Sequence, residues 1–218
     1  MALNHNDTQR LVENWQRFGR DEELLTEAAR GVDDMTDEMS VEIHRAGWGR
    51  GGFSISISEP SRFGEGHIEE IGMISIAKPM EGKGLEAYEV SKSSAKGNWG
   101  PLLYDIAMEV ATEEGSGIMA DRRHVSPSAR NVWQYYHDNR PDVKITQLDD
   151  LKNTLTRTRK DNTQQSSSKI EYREDTNGYR MPHHLDDFTA SPLSKMYSST
   201  GSPNLDKLRA VGKLEDWR

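Results

Sequence analysis

Cysteine is absent from the 218 residues of this chain, which excludes disulfide bonds, thiolate nucleophiles and zinc sites built on cysteine. Long apolar runs are absent too, since no stretch approaches the roughly 18 apolar residues of a membrane-spanning helix. The first residues also lack the charged and then apolar pattern of a signal peptide. We therefore expect chemistry based on oxygen and nitrogen groups, and no membrane partner.

Hydrophobic residues are scarce, at 33% of the chain with a mean hydropathy of -0.85, so we expect part of the chain to lie outside the core. Basic residues are outnumbered, with 28 Lys and Arg against 36 Asp and Glu and a formal net charge of -8. Nucleic-acid binding requires a basic stripe that neutralises phosphates, so no nucleic-acid partner is expected. The length suits one globular domain with extensions.

Hydrophobic periodicity divides the chain into three regions. Residues 1–36 show helical spacing and predict two amphipathic helices, whereas residues 37–150 follow the order ββββαβαβ of a mixed α/β domain. Residues 151–218 predict a polar linker, a candidate strand within 170–181 and a proline-punctuated C-terminal arm. Because the large apolar residues of this arm are too widely spaced to bury one another, we expect it to lie outside the core, against the domain surface or neighbouring chains.

A predicted strand passes through small residues into a predicted helix between residues 90 and 104. The sequence there reads Val90-Ser-Lys-Ser-Ser-Ala-Lys-Gly-Asn-Trp-Gly-Pro-Leu-Leu-Tyr104, and Pro101 suits the first turn of a helix. Such a junction points backbone N–H groups and the positive end of a helix dipole at one spot, where a pyrophosphate can bind. On spacing alone, glycines that only form the turn are the more common explanation.

This junction resembles one in the GNAT superfamily of acetyl-CoA-dependent N-acetyltransferases. In that family the fourth strand ends in a valine-containing segment, and a Gln/Arg-x-x-Gly-x-Gly/Ala loop before a helix binds the acyl-CoA pyrophosphate. Val90 matches the usual valine and Gly100 the last glycine, while Ser126-Pro-Ser-Ala129 is similar to the Asn/Ser-x-x-Ala that opens the next helix. The resemblance covers the region 37–150 and implies a mixed, mostly antiparallel sheet flanked by helices.

The chain departs from the GNAT pattern at several positions, among them Lys96 and Gly97, which stand where the family usually has the opposite order. Ala95 stands where the family has Gln or Arg, and Asn98 replaces the first glycine of the loop. Asn tolerates the left-handed conformation better than other non-glycine residues, whereas Trp99 adds bulk beside the proposed phosphate site. The usual catalytic tyrosine falls on Trp133.

The resemblance implies acetyl-CoA as acyl donor for an unidentified amine, with a cofactor-binding segment formed by Val90, Ser91, Lys96, Gly97, Asn98, Trp99 and Gly100. Transfer requires a base for the acceptor amine and a proton donor for the leaving thiolate. Glu89 is the candidate base, with Glu86 beside it, and Tyr136 is the candidate donor. Solvated strand carboxylates and a packed tyrosine are the non-catalytic alternatives for these residues.

Two further clusters of ionisable side chains have functional alternatives, a metal site for one and a cleft-forming position for the other, and neither alternative is favoured. His183-His-Leu-Asp-Asp187 offers imidazoles and carboxylates, but neighbouring side chains in an irregular arm do not converge easily on an ion. Asp121-Arg-Arg-His124 reads as a loop at a strand end with surface charge pairs.

The segments around both helices are most similar to GNAT-like proteins encoded by tailed bacteriophages, whose domain is followed by a phrase like Ser191-Pro-Leu-Ser-Lys195. Two functions stay open on this basis. One is acetyl transfer in the host cytoplasm. The other is a non-catalytic virion or assembly protein whose arms bind neighbouring phage structural subunits, which the displaced tyrosine and the polar arm favour.

Overall fold

The structure, a computed structural model, describes residues 29–46, 51–61, 67–79, 86–121, 125–148, 170–174, 180–184 and 191–218. The two predicted N-terminal helices fall largely on residues 1–28, outside the described residues, and a short 3-10 helix spans Val32–Asp34. The strands are β1 (Ser40–Arg45), β2 (Gly52–Pro60), β3 (Ile68–Ala77), β4 (Tyr88–Ala95), β5 (Ile118–Met119), β6 (Val143–Gln147), β7 (Ile170–Glu174), β8 (Arg180–His184), β9 (Lys195–Ser199) and β10 (Leu214–Trp217). The helices are α1 (Gly100–Glu113), α2 (Pro127–Asn139) and α3 (Pro203–Ala210), with a second 3-10 helix at Pro192–Ser194.

Eight strands form one sheet in the order β10-β1-β2-β3-β4-β5-β9-β6, while β7 and β8 pair with each other in a separate two-stranded sheet. Two neighbouring pairs are parallel, β10 with β1 and β4 with β5. The other five pairs of the large sheet are antiparallel. The predicted mixed, mostly antiparallel α/β architecture is confirmed.

The first four strands form an antiparallel meander whose alternation follows the sequence. Ile43 pairs with Ile55 and Ile55 with Ile74, and all three side chains are fully buried on one face. The opposite face carries half-buried serines such as Ser54 and Ser56, as period-two alternation requires. This buried face positions the helix that follows β4.

Helix α1 packs on the buried face of the sheet. Its apolar stripe includes Leu103, Ile106 and Val110, which are almost completely buried, and Pro101 occupies the first turn as predicted. Helix α2 starts at the predicted Ser126, whose Oγ accepts a hydrogen bond from the Ala129 N–H at 3.2 Å. Both helices thus begin where the sequence indicates.

The C-terminal segment differs from its prediction, because residues 191–218 belong to the core instead of lying outside it. Strand β9 lies between β5 and β6, and Tyr197 on it is fully buried. Leu205 and Leu208 of α3 are also fully buried, and β10 extends the sheet beside β1. Widely spaced apolar residues cannot bury one another locally, but they can each be buried against a sheet that the rest of the chain supplies.

Candidate functional site

Strands β4 and β5 separate soon after they meet. Their parallel pairing consists of Tyr88 with Ile118 and Glu89 with Met119, whereas β4 runs on to Ala95 alongside β3. From Val90 onward, no strand in the described part of the chain pairs with the side of β4 that faces β5. A strand edge of this kind presents backbone N–H and C=O groups that a ligand can bind.

A β-bulge lies in β4 where the two strands separate. Ile76 pairs with Val90 and Ser75 with Lys92, so Ser91 is the extra residue. The hydroxyl of Ser91 donates to the Ser75 carbonyl oxygen at 3.2 Å. Bulges bend a strand and increase its twist, and they are frequent beside active sites.

The loop after β4 turns sharply into α1. Gly97 and Asn98 both have left-handed backbones, with φ of 54° and 65°, so the prediction that asparagine can replace the loop glycine agrees with this geometry. The Lys96 N–H donates to the Ile71 carbonyl at 2.8 Å, which ties the loop to β3. Within the described part of the chain, no side chain caps the N-terminus of α1. The first turn of that helix therefore presents backbone N–H groups and a positive dipole end, both of which favour an anion.

The seven residues predicted to bind the cofactor form one continuous strand, loop and helix start. Val90 is buried in β4, Ser91 forms the bulge, and Lys96 to Asn98 are exposed in the loop. Trp99 is 2% exposed at the N-cap of α1, and Gly100 is the first residue of that helix. Binding of acetyl-CoA by these residues stays a prediction.

Glu89, the candidate base, is half-buried on β4 at the last position paired with β5. It therefore stands where the two strands separate. Glu86 is exposed before β4 and has a left-handed backbone, with φ of 62°, a conformation that costs a non-glycine residue about 1 kcal/mol. Its carbonyl oxygen accepts a hydrogen bond from Lys78 Nζ at 2.8 Å.

Tyr136, the candidate proton donor, lies in the core between α1 and α2. Its hydroxyl donates to Asp105 Oδ1 at 2.7 Å, and Arg140 Nη1 donates to the same carboxylate at 2.8 Å. Burial raises the pKa of Tyr136 well above its ordinary value, and the Asp105 charge and hydrogen bond raise it further. To protonate a thiolate, this phenol would have to leave Asp105. Its catalytic role stays a prediction.

Aromatic rings fill the space beside Tyr136. Trp133, which stands where the GNAT family has its catalytic tyrosine, is 1% exposed. Its ring meets the Tyr104 ring edge-on, with the two ring centroids 5.6 Å apart. The ring of Tyr197 from β9 packs against the same indole, with the two ring centroids 5.3 Å apart. The indole is therefore a packing group in the core.

Sequence reasoning missed two polar contacts of α1, one from Tyr104 to β4 and one from Asp105 to Tyr136 of α2. Tyr104, assigned only to the helix, places its hydroxyl 3.1 Å from Ser93 Oγ on β4, and burial raises the pKa of this phenol. Asp105 follows it as a carboxylate within an apolar helical run, and burial raises its pKa despite the neighbouring Arg140. A charged residue within an apolar run was the available sequence signal for Asp105.

No group of three or more His, Asp or Glu side chains is arranged to hold a metal ion among the described residues. Residues 122–124 of the cluster that begins at Asp121, and residues 185–187 of the cluster that begins at His183, lie outside the described residues. Within the same limits, none of the helices is long and apolar enough to cross a membrane.

Comparisons of this chain with models of protein families, with curated proteins and with solved structures give no match. The GNAT and phage resemblances therefore stay expectations from the sequence. Function is therefore inferred from the geometry and chemistry of the residues themselves.

Proposed function

We propose that this chain is a GNAT-like, acyl-CoA-dependent N-acyltransferase with acetyl-CoA as its donor. The observation that carries the proposal is the unpaired edge of β4, which continues through a left-handed loop into the uncapped start of α1. An extended amide-containing chain could pair with that edge, and a pyrophosphate could bind the N–H groups beyond it. The strand, loop and helix also occur in the register that the resemblance implies.

Acyl transfer at this site requires two proton transfers. The acceptor nitrogen attacks the thioester carbon, the carbon–sulfur bond breaks, the nitrogen loses a proton to a base and the leaving thiolate gains one. We assign the base to Glu89, since it is the carboxylate at the point where β4 leaves β5. Tyr136 stays the proposed donor, and its hydroxyl is bonded to Asp105. The Tyr104 hydroxyl lies close to β4, 3.1 Å from Ser93 Oγ.

A non-catalytic virion or assembly protein is the second candidate function. The buried Trp133 and the engagement of Tyr136 with Asp105 favour it, because both reduce the supply of mobile hydroxyl groups. The arm that was expected to bind neighbouring subunits favours it less, because residues 191–218 are part of the core sheet and its packing.

Titration calorimetry with acetyl-CoA separates the two functions. We expect the wild-type chain to bind, and the Gly100→Leu variant to bind at least about tenfold more weakly because the new side chain occupies the anion site. Among the described residues, a Cβ at Gly100 meets only the Ala95 Cβ, at 4.0 Å, which leaves room for the change. Gly201→Leu is the matched control, because a Cβ at Gly201 has no described atom within 4 Å.

Each outcome of this titration has a distinct meaning. Absence of acetyl-CoA binding to the wild-type chain would contradict the acyltransferase proposal and favour the assembly function. Binding that is equal in the wild-type and Gly100→Leu proteins would show that acyl-CoA binds elsewhere, and the assignment of the loop would be wrong.

A further inference from the structure

Arg30 reaches the proposed phosphate loop from a distant part of the sequence. It lies ten residues before the start of β1 at Ser40, and its backbone N–H donates to the Asn98 carbonyl oxygen at 3.2 Å. This hydrogen bond joins the segment before β1 to the left-handed turn of the loop. The position of Arg30 beside the loop is thus set by the backbone as well as by its side chain.

The Arg30 guanidinium lies over the ring of Trp99, with its central carbon 5.1 Å from the ring centroid. Its Nη1 atom is 4.0 Å from the point that a Cβ on Gly97 would occupy. Stacking uses the flat face of a guanidinium and leaves its edge N–H groups to bind an anion. In the sequence, the bulk of Trp99 appears unfavourable for phosphate binding. In the structure, its buried ring instead supports the Arg30 guanidinium beside the loop.

The two cations near the loop differ in their partners. Lys96 Nζ lies 2.6 Å from Glu69 Oε1, and that hydrogen bond raises the pKa of Lys96. Arg30 is exposed, and no carboxylate in the described part of the chain pairs with it. Among the described residues, Lys96 therefore has a carboxylate partner and Arg30 has none.

We propose that Arg30 is a further ligand-binding residue of this site and that its guanidinium binds a phosphate of acyl-CoA at the loop formed by residues 96–100. The inference rests on the acyltransferase proposed above. The loop position occupied by Gln or Arg in the resembling family is Ala95 here, and the alanine side chain has no hydrogen-bond donor. Arg30 supplies charge and paired donors to the same loop from outside it.

Binding of acetyl-CoA and of pantetheine to the full-length chain tests this assignment, because pantetheine lacks all the phosphates. We expect Arg30→Met to weaken acetyl-CoA binding by about tenfold and to leave pantetheine binding unchanged. Arg30→Lys keeps the charge without the planar fork and should weaken acetyl-CoA binding by about threefold. It is also the second variant should methionine at this position impair folding.

Arg45→Met is the matched control, because the Arg45 guanidinium also lies over an aromatic ring, 5.5 Å from the centroid of Phe53. Its binding of acetyl-CoA should equal that of the wild-type chain. Equal acetyl-CoA affinity in wild-type and Arg30→Met proteins would overturn this inference and leave the acyltransferase proposal standing. Equal weakening of pantetheine and acetyl-CoA would also overturn it, because Arg30 would then act on the shape of the loop. Failure of the wild-type chain to bind acetyl-CoA would overturn both proposals.

Discussion

The large sheet has two sides along its strand order, with β1 to β4 on one and β5, β9 and β6 on the other, and the two are built in different ways. On one side, β1 to β4 follow one another in sequence as an antiparallel meander, and each pairs with its neighbour in the chain. On the other side, β5 and β6 do not pair with each other, because β9 from the C-terminal segment lies between them. The meander depends on contacts between neighbouring segments, whereas the second side is completed by a distant one.

This difference bears on both stability and the candidate site. The proposed ligand edge lies on β4, where the meander meets the second side. Tyr197 of β9 packs against Trp133 of α2, so the inserted strand also supports the aromatic cluster next to the site. We infer that the C-terminal segment completes the fold on which the site depends.

The largest expected effect comes from deletion of residues 191–218, which removes β9, α3 and β10 together. We expect loss of cooperative unfolding, because β5 and β6 lose the strand between them and the buried Tyr197, Leu205 and Leu208 leave the core. Thermal unfolding followed by circular dichroism measures this. Val211→Ser, at a 52% exposed position, is the control and should unfold as the wild-type chain does. A truncated chain with an unchanged transition would show that the meander folds alone.

Gly117→Ala tests the close contact between β5 and β9. A Cβ at this position would lie 2.4 Å from the Tyr197 carbonyl oxygen, so one of the two strands must move. We expect the free energy of unfolding to fall by about 3 kcal/mol in urea denaturation. Gly201→Ala, with open space around the new Cβ, should change it by less than about 0.5 kcal/mol. Equal stabilities of the two variants would contradict the close packing of β9.

Glu109→Ala tests how α3 is held to α1. The Glu109 side chain is 2% exposed, and its carboxylate accepts hydrogen bonds from the backbone N–H groups of Asn204 and Leu205, at 3.1 and 2.8 Å. Its removal leaves donors at the start of α3 without this partner, and we expect a loss of about 2 kcal/mol in urea denaturation. Glu215→Ala at an exposed position of β10 is the control. A loss no larger than that of the control would contradict the anchoring role.

Tyr136→Phe separates a structural from a catalytic role for this hydroxyl. Loss of the hydrogen bond to Asp105 should lower the free energy of unfolding by about 1 kcal/mol, whereas Tyr135→Phe next to it should have little effect. Urea denaturation measures the stability, and release of free coenzyme A from acetyl-CoA in the presence of amines measures transfer. Unchanged turnover with reduced stability would reject Tyr136 as the proton donor.

The smallest expected effect on the free energy of unfolding is that of the Asp142→Asn substitution, and it depends on pH. A hydrogen bond from Arg140 lowers the pKa of Asp142 in the folded chain, so the ionised form favours folding. This stabilisation is present above the ordinary Asp pKa of about 4 and is lost as pH falls through the lowered value. Asp142 is partly exposed, so Asp142→Asn should cost less than about 1 kcal/mol at pH 7. Denaturation at several pH values should show the two proteins converging in acid, and a constant difference would reject the ion pair as its cause.

Local sequence patterns account for the elements that have strong signals. Alternating apolar residues predicted the strands around Ile43 and Ile55, and a nearly continuous apolar run predicted the strand around Ile74. Ser126 with a following proline predicted the start of α2. The small residues before Pro101 predicted the loop that leads from β4 into α1. These features depend on periodicity, capping and fixed backbone angles, all of which act over a few residues.

The contacts between segments that are distant in the chain are established by the folded structure and have no local signal. The insertion of β9 between β5 and β6, the hydrogen bond from Tyr136 to Asp105 and the position of Arg30 over Trp99 all join residues far apart in the chain. Short strands and single polar residues carry no periodic signal that names a partner, and their burial depends on surfaces that other segments supply. The C-terminal segment therefore reads as an exposed arm in the sequence, although residues 191–218 complete the core.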